Sequence, residues 1–176
     1  ALLREVGAAG VFGNWDISRV MGFPPEERAY VRALPYLLDE EGFLAAHAAP
    51  YGPAGVESLS DFLRHCATYD VRWGDLFPYL HEHEAAIWQA LVELGTLQRG
   101  LFFHGHTHRQ AGWRFDTAGR LHPLVGPRFS VADVRQGARY LIGVGSVGAP
   151  DDGPGIAYTL YDSAARQVEW VRLAER

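Results

Sequence analysis

Strand-like apolar runs alternate with helical segments along this chain, and the alternation predicts one mixed α/β domain. Three observations carry it. Short apolar runs at 43–46 and 101–103 are punctuated as buried strands are. A segment with one apolar helical face lies between them, and the last third breaks into short strand candidates separated by turn residues. No internal repeat or low-complexity linker divides the 176 residues, and a hydrophobic content of 48% suffices for a sizeable core.

Taken in order, Val6 to Phe12 is a small-residue apolar stretch that reads as a first strand. Pro24-Pro25-Glu26-Glu27 opens a helix running through Tyr30 and Leu34 toward Pro35, because proline loses nothing in the first turn and acids suit the positive end of the dipole. Phe43 to Ala46 is a buried strand. Ser58 or Ser60 caps a short helix through Phe62 and Leu63, after which Trp73, Phe77 and Tyr79 crowd a stretch without clear period. Glu82 to Gly95 is the best helix, with Ile87, Leu91 and Leu94 on one face and Gly95 as its C-cap. Leu101-Phe102-Phe103 returns to the sheet. Trp113 and Phe115 alternate with polar neighbours before the Asp116-Thr117-Ala118-Gly119 turn leading to Leu121, and 139–144, 156–161 and 167–173 are three further strands.

Composition excludes several classes. A net charge of -5 without a long block of either sign lacks the electrostatic footprint of a protein that binds nucleic-acid backbones. No apolar run approaches the roughly 20 residues of a membrane span. A single cysteine, Cys66, rules out an internal disulfide framework and fits a reducing compartment, for which cytoplasm is the expectation.

The chemistry is concentrated in Gly105-His106-Thr107-His108-Arg109, two imidazoles two residues apart just beyond a buried strand. Imidazole is a good ligand for Zn, Fe, Ni and Cu, and ligands at i and i+2 in a turn diverge enough to reach two ions. A bare HxH pair is equally at home on a loop surface, so context decides. Gly13-Asn14-Trp15-Asp16 follows the first strand-like run, and His47 follows Phe43 to Ala46. Each of three such runs therefore delivers a candidate ligand at its C-terminal end, the edge where open α/β sheets bind ligands.

In order and spacing these blocks resemble the calcineurin-like metallophosphoesterase family, whose signature continues from a GN(H/C)(D/E) block through an isolated His after a strand to GHxH. Here these read GNWD, His47 and GHTH, and Tyr140 to Gly148 resembles the C-terminal GSVG segment of small bacterial members. The resemblance spans almost the whole chain. It implies a two-sheet β-sandwich flanked by helices in four layers, α/β/β/α, and hydrolysis of a phosphomonoester or phosphodiester by a metal-activated water. It also implies two divalent transition-metal ions, Mn, Fe, Zn or Ni, in the full-length form. Asn14, His47 and His106 would serve one ion and His108 the other. A small phosphoester or a phosphoprotein would be the partner.

The family's opening DxH and GDxxx blocks, which supply the bridging aspartate, do not occur here. Ala1 to Gly7 looks like the end of the helix before the GN block, so the expectation is a single domain over 1–176 lacking its N-terminal metal-binding segment, with at most one ion bound. Trp15 departs from the family pattern as well. Many members carry a His there that protonates the leaving group; an indole N–H donates a hydrogen bond but shuttles no proton at neutral pH. Diesters and good leaving groups are the expected substrates, with Trp15 and His104 lining the site.

Other features have plainer uses. Gly143 to Gly148 spells GxGxxG after a strand, but Ala149-Pro150-Asp151-Asp152-Gly153-Pro154-Gly155 cannot open the helix that would hold a pyrophosphate, so a loop lining the site is the better use. His81-Glu82-His83-Glu84 reads as surface at a helix start, and His65, Cys66 and His122 are isolated. His104 either faces the cleft or ends its strand with the ring in solvent. The alternative function is a catalytically deficient module whose aromatic-rich 69–88 region binds a protein partner.

Overall fold

Parallel pairing of three short apolar runs sets the frame. In the computed structural model, which describes residues 5–124 and 131–174, β2 (Phe43–Ala46) pairs β3 (Leu101–His104) in parallel, and β3 pairs β7 (Arg139–Gly143) in the same sense, with Ala46 beside His104 and His104 beside Gly143. Three strands thus end at one edge of the sheet. β1 (Leu37–Glu40) adds antiparallel to β2, while β4 (Gly112–Phe115) and β5 (Leu121–Leu124) extend the other side, giving the order β1-β2-β3-β7-β4-β5. A second sheet of three strands runs β6-β9-β8, from β6 (Val131–Asp133), β8 (Ile156–Asp162) and β9 (Gln167–Leu173).

Successive residues of a strand face opposite sides, and here both sides are buried. Leu44, Ala46, Phe102 and Leu141 meet Ile87, Ala90, Leu91 and Leu94 of α4 (Glu84–Thr96). On the opposite face Leu101, Tyr140 and Ile142 meet Val168 and Trp170 of the second sheet, with the Trp170 indole donating to the Gly143 carbonyl at 3.0 Å. A third cluster gathers Phe12, Val20, Tyr36, Leu59, Phe62 and Phe77 around α1 (Asn14–Arg19), α2 (Pro25–Arg32) and α3 (Leu59–Tyr69), whose N-cap is Ser58 in a capping box with Asp61. Two sheets flanked by helices result. No described helix is long and apolar enough to cross a membrane.

Three sequence expectations are corrected. Val6 to Phe12 is not a strand: the Phe12 amide donates to the Pro35 carbonyl at 3.2 Å, and proline has no N–H to return, so no ladder grows there. Gly95 lies inside α4 against the Arg139 guanidinium, and the left-handed residue after the helix is Gln98, at φ 54°. The helix begins at Glu84, leaving His81 and Glu82 in the preceding turn.

Candidate metal centre at the sheet edge

The ends of β2 and β3 are tied together where the candidate ligands begin. The Gly105 amide donates to the His47 carbonyl at 3.0 Å. Beyond it, His106 and His108 both take left-handed backbone conformations, φ 54° and 56°, which cost a residue with a Cβ roughly 1–3 kcal/mol each unless surroundings enforce them. The surroundings do. Thr107 between them is buried, the Asp151 amide donates to the His108 carbonyl at 3.0 Å, and Asp151 pairs with Arg109 at 2.7 Å. Alternating a strained His with a buried Thr turns the two imidazoles away from the strand.

Asn14 arrives differently from the other candidates, at the first position of α1 rather than at a strand end. The Gly13 amide donates to Asp16 Oδ2 at 2.8 Å, which commits Asp16 to closing the helix start. A Cβ on Gly13 would lie 2.6 Å from His47 Nδ1, so only glycine lets this backbone approach the ring.

Three donors converge as a result. His47 Nε2 lies 2.9 Å from Asn14 Oδ1 and 3.2 Å from His106 Nδ1. One ring nitrogen carries either a proton or a lone pair, so His47 Nε2 cannot satisfy an acceptor oxygen and the lone pair of a second imidazole together. A cation satisfies all three. Ligands about 2.0–2.2 Å from one ion stand roughly 3 Å or slightly more from each other, so the spacings fit a shared ion. Protonation fits too. Burial, followed by the charges of His106, His108 and His104, pushes the His47 imidazole down to about 3, and burial lowers His106 against an opposing hydrogen bond to the Phe77 backbone. Both rings are neutral at pH 7, the form that ligates. Among the described residues no three His, Cys, Asp or Glu side chains form a metal-holding group. The third donor here is an amide oxygen.

The donors open into a cleft of about 560 Å³ lined by Asn14, Trp15, Tyr79, His106, His108 and Asp151, among others. Trp15 stands at its rim with Arg19 4.4 Å over the ring. His104 is a correction: it neither lines this cleft nor points to solvent. It is buried, its ring stacked 6.0 Å from Phe102, and burial pushes its imidazole down to about 4. Gly143 and Gly145, expected in a loop lining the site, instead pack against neighbouring segments of the chain. A Cβ on Gly143 would sit 2.6 Å from the Arg109 carbonyl, and Ala149, Pro150 and Asp151 beyond them line the cleft.

At this point the architecture can be set beside known structures. The chain superimposes on a metallophosphoesterase from Sphaerobacter thermophilus with a TM-score of 0.71, over 99% of this chain and 70% of that one, at 22% identity. The fold is that of a metallophosphoesterase. No family model matches the chain, and no curated protein matches it. Within this metallophosphoesterase fold the donor assignments rest on geometry, because 22% identity carries architecture alone.

Sequence reasoning missed part of the wall. The Tyr79 ring lies 4.3 Å from that of His106, and Phe77 lies 5.4 Å from His47. Their only signal was the aperiodic aromatic crowding before α4. His81, read as surface, is a second correction. Its side chain is mostly buried, with Nε2 2.8 Å from Glu82 and its ring 5.9 Å from that of Tyr79, which in turn rests on His106.

Proposed function

We propose that the protein is a metal-dependent phosphoesterase that hydrolyses a phosphomonoester or phosphodiester. The observation that carries this is the convergence of Asn14 Oδ1, His47 Nε2 and His106 Nδ1, with the half-buried His47 and buried His106 imidazoles both neutral, at the sheet edge of a metallophosphoesterase fold. These three would hold one divalent ion, with Mn, Fe, Zn and Ni all compatible with an N/O donor set. Such an ion supplies Lewis acidity, polarising a phosphoryl oxygen and lowering the pKa of a bound water.

The chain's own groups do the positioning. Gly13 and the Gly105–His47 hydrogen bond fix the His47 ring, and the Arg109–Asp151 pair with the Asp151 amide fixes the turn that presents His106 and His108 to the cleft. His108 lines the same cleft and would be available to a second ion. The Trp15 indole can donate to a phosphoryl oxygen but moves no proton, which favours diesters and good leaving groups. The alternative of a partner-binding 69–88 region keeps exposed aromatics, Tyr69, Trp73, Tyr79 and Trp88. Tyr79 lines the donor cleft, however, and the fold is that of a metallophosphoesterase, which favours the phosphoesterase reading.

The test is turnover of bis(p-nitrophenyl) phosphate by the protein with Mn. Hydrolysis should vanish with EDTA, fall by several powers of ten in His108→Ala, and exceed that of an alkyl monoester. Turnover that survives EDTA would overturn the metal-dependent reading. A strong preference for alkyl monoesters would overturn the role given to Trp15.

A further inference from the structure

The candidate metal centre lies where β3 ends, and the opposite edge, where β3 begins, carries different side chains. Around Gly100 and Leu101 a cavity of about 530 Å³ opens between the turn at Gln136 and Gly137 and the turn joining β8 to β9. Arg135 lines it from the first turn, Ser163 and Arg166 from the second. Both turns are pinned. The Arg135 amide donates to the hydroxyl of buried Tyr140 at 3.0 Å, and that hydroxyl donates to the Asp133 carbonyl at 3.0 Å. The Val134 amide donates to the Arg166 carbonyl at 2.8 Å, and Arg166 Nε donates back to the Val134 carbonyl at 3.1 Å. That bond fixes the Arg166 guanidinium and leaves its terminal N–H groups to the cavity. Arg166 also holds φ 53°, a left-handed conformation that glycine would take more easily.

The chain has 21 acidic against 16 basic side chains, yet neither arginine forms an ion pair among the described residues. Nearby carboxylates are engaged elsewhere: Asp162 accepts from the Ala165 amide at 2.8 Å and Asp133 from the Gln167 side chain at 3.0 Å. Glu41, the acid in the lining, pairs with neither guanidinium. Both arginines are exposed, so a ligand can reach them from solvent, while buried Leu101 and Ala138 close the cavity beneath. We propose that this cavity binds the phosphate group of a small molecule, gripped by Arg135 and Arg166 with the Ser163 hydroxyl donating to it. Two planar forks and a hydroxyl offer more donors than the two oxygens of a carboxylate use, and they suit the several oxygens of a phosphate. The volume fits one small ligand, and a net charge of -5 disfavours a polyanion. The site needs no metal, so it stands apart from the phosphoesterase reading.

Titration of the metal-free protein with inorganic phosphate and with glycerol 3-phosphate, at neutral pH and constant ionic strength, can be followed by amide proton–nitrogen NMR. Both probes should shift the Gly137, Ala138, Ser163 and Ala164 amides saturably, while those of Gly105 to His108 stay still. Arg135→Gln and Arg166→Gln should each weaken phosphate binding at least about tenfold, the loss of a charge-assisted contact. Arg166→Lys should recover only part of it, because an ammonium keeps the charge without the fork. The Arg135 side chain makes no ion pair, so its substitution tests the site without disturbing the fold. Acetate saturating at the same concentration as phosphate would reduce the cavity to a patch of charge and overturn the assignment. Unchanged affinity in both glutamine variants, or shifts confined to Gly105 to His108, would overturn it as well. Binding of inorganic phosphate with exclusion of glycerol 3-phosphate would overturn the small-molecule ligand.

Discussion

The six-stranded sheet has two regions built on opposite rules, its helix-covered face and its C-terminal edge. On the face, Leu44, Phe102 and Leu141 pack against Ile87, Leu91 and Leu94, all apolar and all in regular helix or strand. At the edge, four buried or half-buried histidines gather, His47, His104, His106 and His108, two of them sit in left-handed conformations, and the connecting backbone is irregular. The face lowers free energy by removing apolar surface from water. The edge uses part of that stability to hold neutral imidazoles and strained turns where a phosphate could meet a cation. Strain and buried polarity at the rim of an otherwise consistent core are where function is expected.

The comparison is broken most severely on the face. Leu91 is 1% exposed, and Leu91→Ala should destabilise the protein by about 2–5 kcal/mol in urea unfolding while metal bound per folded chain stays unchanged. Loss of metal from chains that remain folded would show that face and edge are not separable.

The edge should respond to acid where the face does not. His47 and His104 have folded-state values lowered to about 3 and about 4 from an ordinary 6.5, so the unfolded chain binds their protons first. Their contribution is intact above pH 6.5 and is lost as pH falls toward 4, at up to roughly 1.4 kcal/mol per pH unit for each histidine. Urea titrations from pH 7.5 to 4.5 should show this fall, and His104→Asn should roughly halve its slope, leaving the His47 part. A flat profile in the unsubstituted protein would contradict buried neutral imidazoles.

The smallest effect has the opposite sign. At φ 56°, His108→Gly should raise stability by about 1 kcal/mol, because glycine adopts that conformation freely, while removing an imidazole from the cleft. A variant less stable than the parent would mean that the His108 side chain anchors the turn.

The same contrast explains what could be read in advance. The helical face of Ile87, Leu91 and Leu94, the strands at 43–46 and 101–104, and the hairpins of the last third follow local periodicity. The blocks around Asn14, His47 and His106 were legible because each candidate donor opens or follows a short patterned element. Phe77, Tyr79 and His81 were not, since residues 70–83 have no period and reach the site only by folding back beneath it. β1 escaped because Asp39 and Glu40 break its apolar run, and β6 because three residues carry no pattern. Val6 to Phe12 misled because apolar content alone does not supply a partner strand with free N–H groups.

Equilibrium dialysis of the 176-residue chain against Mn, with elemental analysis of the protein compartment, bears most directly on the three-donor centre. The geometry of Asn14, His47 and His106 predicts uptake that saturates at one ion per chain and disappears in His106→Ala, because two donors do not offset dehydration of the cation. No uptake by the unsubstituted chain, two ions per chain, or full retention in His106→Ala would contradict it.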